Sequence, residues 1–349
     1  MDKIKVLIID DSMLIRKMLT EILNSSADIE VVGTAADPLI ARDLIKQLNP
    51  DVLTLDIEMP NMDGITFLKN LMRLRPTPVV MISTLTEKGA GVTLEALTIG
   101  AVDFIAKPKA DVANTLGSYA EEIINKVRMA ARANIRNTVS RPAKAAEVLK
   151  KVEALKRHPD TAHNKIIALG ASTGGTEAIK VVAKGLPADT PALVITQHLP
   201  AAFSESFVRH IDLVSEMTAC IPKHGQTVEA GHIYLAPGDR HMEVFKESTR
   251  YSIKLLDTEP VNRHKPAVDV MFRSVAHCAG ANAIAVLLTG MGADGAAGMK
   301  EMHDLGAKTV IQDEQSSVVW GMPGAAFKLG CTDYVLPLED VAHKILSLL

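Results

Sequence analysis

Three residues far apart in this 349-residue chain have the types that covalent hydrolysis needs: Ser172, His198 and Asp294. Ser172 lies in Gly170-Ala171-Ser172-Thr173-Gly174, a G-x-S-x-G run that follows the apolar stretch 166–169. Small residues around a serine let a tight strand-to-helix turn hold its hydroxyl out from the sheet. An ordinary helix-capping turn has the same composition, and a glycine-rich βα turn also suits anions. The loop has neither G-x-G-x-x-G spacing nor a G-K-[ST] ending, so the standard nucleotide fingerprints are missing.

A serine nucleophile needs a base, and the base needs a partner that fixes its tautomer. Of the eleven histidines, His158 and His163 fall in a polar connector. His210, His277, His303 and His343 fall within helical patterns, where surface placement explains them. His198 follows the apolar run 192–197 directly and shares an edge with Ser172 if the two strands are parallel neighbours. Asp294 lies in Leu-Leu-Thr-Gly-Met-Gly-Ala-Asp-Gly (287–295), which repeats the Ser172 layout of strand, glycine-rich turn and helix. Taken alone it reads first as a helix cap. Beside two other strand-end residues of matching type it reads as the acid of a triad. The order Ser, His, Asp differs from that of the α/β-hydrolases, so the G-x-S-x-G match does not import that fold.

A second set of strand-end residues sits in the first 130 positions. Asp10 closes the run KVLIID and Asp11 follows it, Asp56 closes VLTLD, Ser83 ends PVVMIS and Lys107 ends AVDFIAK. Three carboxylates at one sheet edge repel one another and need a cation; Mg²⁺, a hard ion that keeps waters for a phosphate to replace, fits. With a hydroxyl and an ammonium alongside, such a site could hold and transfer a phosphoryl group.

These residues need scaffolds that bring strand ends together. Apolar runs alternate with helical patterns through both halves of the chain, the mark of parallel βαβ units. The first 130 residues hold five such strands and five helices. The second half reads as a doubly wound, mostly parallel α/β unit, with an antiparallel insert expected between 217 and 256. Between them residues 131–163 are polar and rich in Ala and Lys, with a short helix expected over 145–157. The predicted domains are therefore 1–130, a linker 131–163, and 164–349.

Net charge is −3, divided as −4, +5 and −4 over those three segments. The basic connector lacks aromatic residues for base stacking and the C-terminal half lacks a basic recognition helix, which argues against nucleic acid as a partner. No apolar run reaches the roughly 18 residues of a membrane span. An acidic N-terminus unlike a signal peptide and three scattered cysteines point to a cytoplasmic protein with reduced thiols.

Asp10-Asp11-Ser12, Asp56-Ile57-Glu58-Met59-Pro60 with Gly64, Ser83 and Lys107-Pro108 resemble the response-regulator receiver family. The resemblance implies a flavodoxin-like five-stranded fold in which Asp56 accepts a phosphoryl group from a histidine kinase. Asp10, Asp11 and Asp56 would hold Mg²⁺, with Ser83 and Lys107 on the phosphoryl group. Gly170–Gly175, Gln197-His198-Leu199-Pro200, Ala236-Pro237-Gly238 and Gly290–Gly295 resemble the chemotaxis methylesterase (CheB) family. That likeness implies hydrolysis of glutamate methyl esters, and deamidation of glutamines, on chemoreceptors. It implies Ser172 as nucleophile, His198 as base and Asp294 as its orienter, with Thr173, Gly174 and Met291 beside the reacting carbonyl. No cofactor is expected in this half. The competing reading is a response regulator whose second half only binds a partner.

Overall fold

The structure, a computed structural model, describes residues 2–83, 86–107, 116–135 and 164–349. The chain divides into two compact units, Met1–Ser140 and Arg141–Leu349. The expected connector helix over 145–157 lies outside the described residues.

In the first unit, strands β1 (Ile4–Ile9), β2 (Ile29–Ala35), β3 (Val52–Asp56), β4 (Val79–Ser83) and β5 (Asp103–Ala106) form one sheet in the order β2-β1-β3-β4-β5. Every pairing is parallel. Helices on both faces bury the sheet, so β3 and β4 are buried at every position, their polar Thr54, Asp56 and Ser83 included. The helices start where short polar side chains can take the first N–H groups. Asp37 accepts from Leu39 and Ile40 ahead of Pro38, and Asp63 accepts from Thr66. The strand order reverses at β1/β3, which opens a crevice where Asp10, Asp11 and Asp56 lie.

The second unit carries a seven-stranded sheet ordered β14-β13-β12-β6-β7-β9-β8. Its strands are β6 (Ile166–Ala171), β7 (Leu193–Gln197), β8 (Thr218–Cys220), β9 (His232–Leu235), β12 (Ala283–Leu287), β13 (Lys308–Gln312) and β14 (Tyr334–Leu336). All six pairings are parallel. The antiparallel part of the 217–256 stretch is narrower than its turn-rich sequence suggests. Its antiparallel strands are β10 (His241–Glu247) and β11 (Arg250–Leu256), with a single antiparallel bridge from Thr227 to Ser252, while β8 and β9 join the main sheet. Fully buried Val194, Tyr234, Met271, Phe272, Leu287 and Met299 belong to the core of this unit. From β6 the chain winds first toward β7 and later returns on the other flank as β12. The turns after β6 and β12 therefore face each other across the switch point.

Candidate functional site

Ser172 leaves β6 at that switch point. Its N–H donates to the Thr289 carbonyl (3.0 Å), and its own carbonyl accepts from Gly175 N–H (2.7 Å) and the Gln197 amide (2.9 Å). The Ser172 backbone is thus held from the ends of both neighbouring strands, β12 and β7, and from the start of the helix that follows it. Gly174, at φ 75°, turns the chain into the helix Gly175–Lys184 in a conformation that a side chain would strain. Thr173 is buried and its carbonyl accepts from the Thr289 hydroxyl (3.0 Å), whereas Met291 is exposed.

His198 begins the segment after β7, and its N–H reaches the Ala171 carbonyl (3.3 Å). Its Nδ1 lies 3.1 Å from Ser172 Oγ and its Nε2 2.8 Å from Asp294 Oδ2. Asp294 accepts rather than donates, so the Nε2 proton points at the carboxylate and the Nδ1 lone pair faces the serine hydroxyl. Four donors converge on Asp294. Oδ2 also accepts from Val268 N–H (2.7 Å), and Oδ1 from the Asn262 amide (2.7 Å) and Asp269 N–H (3.2 Å). Burial pushes this carboxyl up, but the hydrogen bond and charge of His198, with Asn262 and Val268 N–H, outweigh it and hold the pKa at about 2.

The capping tendency of Asp294 is real, but the capped helix is not the one that follows it. Gly295 opens the helix Ala296–Asp304 without a side-chain cap. Asp294 instead takes the first N–H groups of the helix Val268–Ala279, and Asp269 of that helix accepts from Gly298 N–H (2.7 Å). Each helix is capped by a carboxylate from the other's start. Asn262 and Asp269 were not legible as site residues, because Asp294 and Gly298, to which they bond, lie 25 to 32 positions away and local spacing carries no trace of them. The histidines at 210, 277, 303 and 343 all lie on helices, as expected; His264, not weighed from sequence, stacks on His198.

In the first unit Asp10, Asp11 and Asp56 present carboxylate oxygens within 4.8 Å of one another. Lys107 Nζ lies 2.7 Å from Asp56 Oδ2 and 3.3 Å from Asp10 Oδ2. Burial pushes the Asp56 carboxyl up to about 6; Lys107 opposes this and the charge of Asp10 adds to it. Burial likewise raises the Asp10 carboxyl, against the pull of Lys107. Three carboxylate oxygens this close together, with Asp10 Oδ2 buried beside the Lys107 ammonium, suit a hard divalent cation. Ser83 Oγ lies 2.7 Å from Thr93 Oγ1. Thr93 donates its proton to the Gly89 carbonyl (2.8 Å), so the Ser83 hydroxyl is the donor of this pair.

A parallel α/β sheet with a Ser–His–Asp hydrogen-bond chain at its switch point, in a chain whose other unit carries a receiver-type acidic crevice, describes a hydrolase joined to a receiver unit. The chain belongs to the CheB methylesterase family, whose model matches residues 167–345; the response regulator receiver domain model matches residues 6–115. It is 55% identical, over all of both chains, to a protein-glutamate methylesterase/protein-glutamine glutaminase of Hydrogenovibrio crunogenus. It is 53% identical to one of Nitrosomonas europaea, over 99% of this chain and 97% of that one. The crystal structure of the Thermotoga maritima CheB methylesterase catalytic domain aligns with 53% of this chain and 99% of its own, at 34% identity and TM-score 0.52. Among the described residues no helix is long and apolar enough to cross a membrane.

Proposed function

We propose that this protein hydrolyses glutamate γ-methyl esters on chemoreceptors, releasing methanol, and deamidates receptor glutamines, under control of phosphorylation at Asp56. The observation that carries the reading is the hydrogen-bond chain from Ser172 through His198 to Asp294 at 3.1 and 2.8 Å. His198 Nδ1 takes the Ser172 proton as Oγ attacks the ester carbonyl, and Asp294 stabilises the imidazolium that forms. Backbone N–H groups of the turns at Thr173, Gly174 and Met291 receive the oxyanion. His198 then protonates the departing methoxide, leaving an acyl-serine. Water attacks that ester with His198 again as base, and the products are a glutamate carboxylate and restored Ser172. With glutamine the leaving group is ammonia and the product is the same.

In the receiver, an Asp56 carboxylate oxygen takes the phosphoryl group from a chemotaxis histidine kinase, and Lys107 faces the charge it brings. Asp10, Asp11 and Asp56 would hold Mg²⁺, which when bound offsets charge on the phosphoryl oxygens. The protein works in the cytoplasm, where kinase and receptor tails meet it. Methanol release from methylated receptor membranes tests the reading: Ser172→Ala should abolish it, and a variant that keeps the native rate would overturn it.

A further inference from the structure

One tight turn delivers side chains to both partners of Ser172. Val261 and His264 exchange backbone hydrogen bonds (3.0 and 2.9 Å), with Asn262 and Arg263 between them at φ 54° and 68°. Two successive left-handed residues make a type I′ turn, which asparagine tolerates better than most residues. Asn262 directs its amide nitrogen at Asp294 Oδ1 (2.7 Å) and at Asp269 Oδ2 (2.8 Å). Two residues on, the His264 ring lies flat on His198, with centroids 3.7 Å apart and planes 11° from parallel.

We propose that the turn Val261–His264 is the positioning element of the Ser172, His198, Asp294 site. Asn262 sets the Asp294 carboxylate, and the face of His264 sets the plane of His198. Neither is a catalytic residue, and the inference rests on the functional reading given above. Asp269 and Asp294 are each 4% exposed and cap each other's helices, so two buried carboxylates share a small volume. An amide has two hydrogens in a fixed fork and can donate to both at once. An aspartate of the same shape would donate to neither and add a third negative charge. Histidine χ2 is a broad torsion, and hydrogen bonds at two ring nitrogens leave the ring able to rock about the line joining them. A ring stacked on one face removes that motion and keeps water off it. Its electron-rich face also attracts the positive charge that His198 acquires when it takes the serine proton.

The test uses the full chain acting on methylated receptor membranes, with rates normalised to protein concentration and the folded state followed by Tm. Asn262→Ala should lower kcat by about 10- to 100-fold with KM within about twofold, the size expected for one hydrogen bond to a charged group. Asn262→Asp, equal in shape, should be slower still. His264→Ala should lower kcat by about tenfold, and His264→Phe, which keeps a ring face without its nitrogens, should recover most of that loss. Asn262→Asp with more than about half the native kcat, or His264→Phe as slow as His264→Ala, would overturn the proposal. If Asn262→Asp does not fold, a native kcat in Asn262→Ala overturns it alone. Ser172→Ala in the same series separates the two readings. Loss of activity there beside an unaffected Asn262→Asp sinks only the positioning role, whereas retained activity there sinks the nucleophile assignment itself.

Discussion

Gly290 presses its α-carbon against Ser172: a β-carbon at Gly290 would stand 2.8 Å from the Ser172 β-carbon and 3.0 Å from its nitrogen, and would also collide with Met322 Sδ. Met322 is fully buried, so moving its thioether aside would disturb the packing around it. Gly290→Ala should therefore move the serine as well as strain the fold. We expect a stability loss of about 1–3 kcal/mol, typical of overpacking. The esterase rate should fall by about 10²-fold or more, since a displacement near 1 Å is enough for that. Denaturant unfolding and methanol release measure the two effects, and an active Gly290→Ala would show that the contact is not a constraint.

His198→Ala should be as inactive as Ser172→Ala, about 10⁴-fold or more below native, because nucleophile and base act as one unit. Asp294→Asn should be severe but less complete, since the serine and imidazole stay in place. All four partners of Asp294 are donors, two on each oxygen, so an amide there sets its NH2 against two of them whichever way it is turned. A rate for Asp294→Asn within about tenfold of native would argue against its role as orienter.

Asp294 also gives stability a pH dependence. Its folded pKa is held at about 2 against an ordinary value of 3.8, so the folded state prefers the ionised carboxylate. The contribution, on the order of 2 kcal/mol, is present above about pH 4 and lost as pH falls toward about 2. Trp320, the one tryptophan of the chain, lies in the esterase unit and reports its unfolding by fluorescence. Native and Asp294→Asn proteins should converge in stability between those pH values. Curves that stay parallel would show that Asp294 titrates normally.

Asp56 should be the phosphorylated residue. Asp56→Asn should abolish labelling by acetyl phosphate or a kinase, and EDTA should abolish labelling of the native protein. Phosphate recovered on Ser83 or a histidine would contradict this.

If the receiver restrains the esterase until phosphorylated, removing residues 1–140 should raise basal methanol release. A coupling of typical size corresponds to roughly 5- to 150-fold. A truncated protein no more active than the unphosphorylated whole would exclude inhibition by the receiver.

Strand-end chemistry was legible in the sequence because parallel βα units place the C-terminal end of every strand at one sheet edge. Position along an apolar run was therefore enough to pick out Asp10, Asp56, Ser83 and Lys107, and likewise Ser172, His198 and Asp294. Local pattern could not give the order of the strands. That β12 lies on one side of β6 and β7 on the other, so that Asp294 and His198 meet beside Ser172, follows from packing over more than a hundred residues. The same limit hid the direction of β8 and β9, whose short runs and turns look like hairpins until a sheet edge accepts them in parallel. An aspartate's preference for N–H groups predicts a cap but not whose, and only tertiary structure sent Asp294 to Val268 and Asp269. Asn262, His264 and Thr93 carried no signal at all, because a turn residue or a helical threonine becomes part of a site only when distant chain arrives beside it.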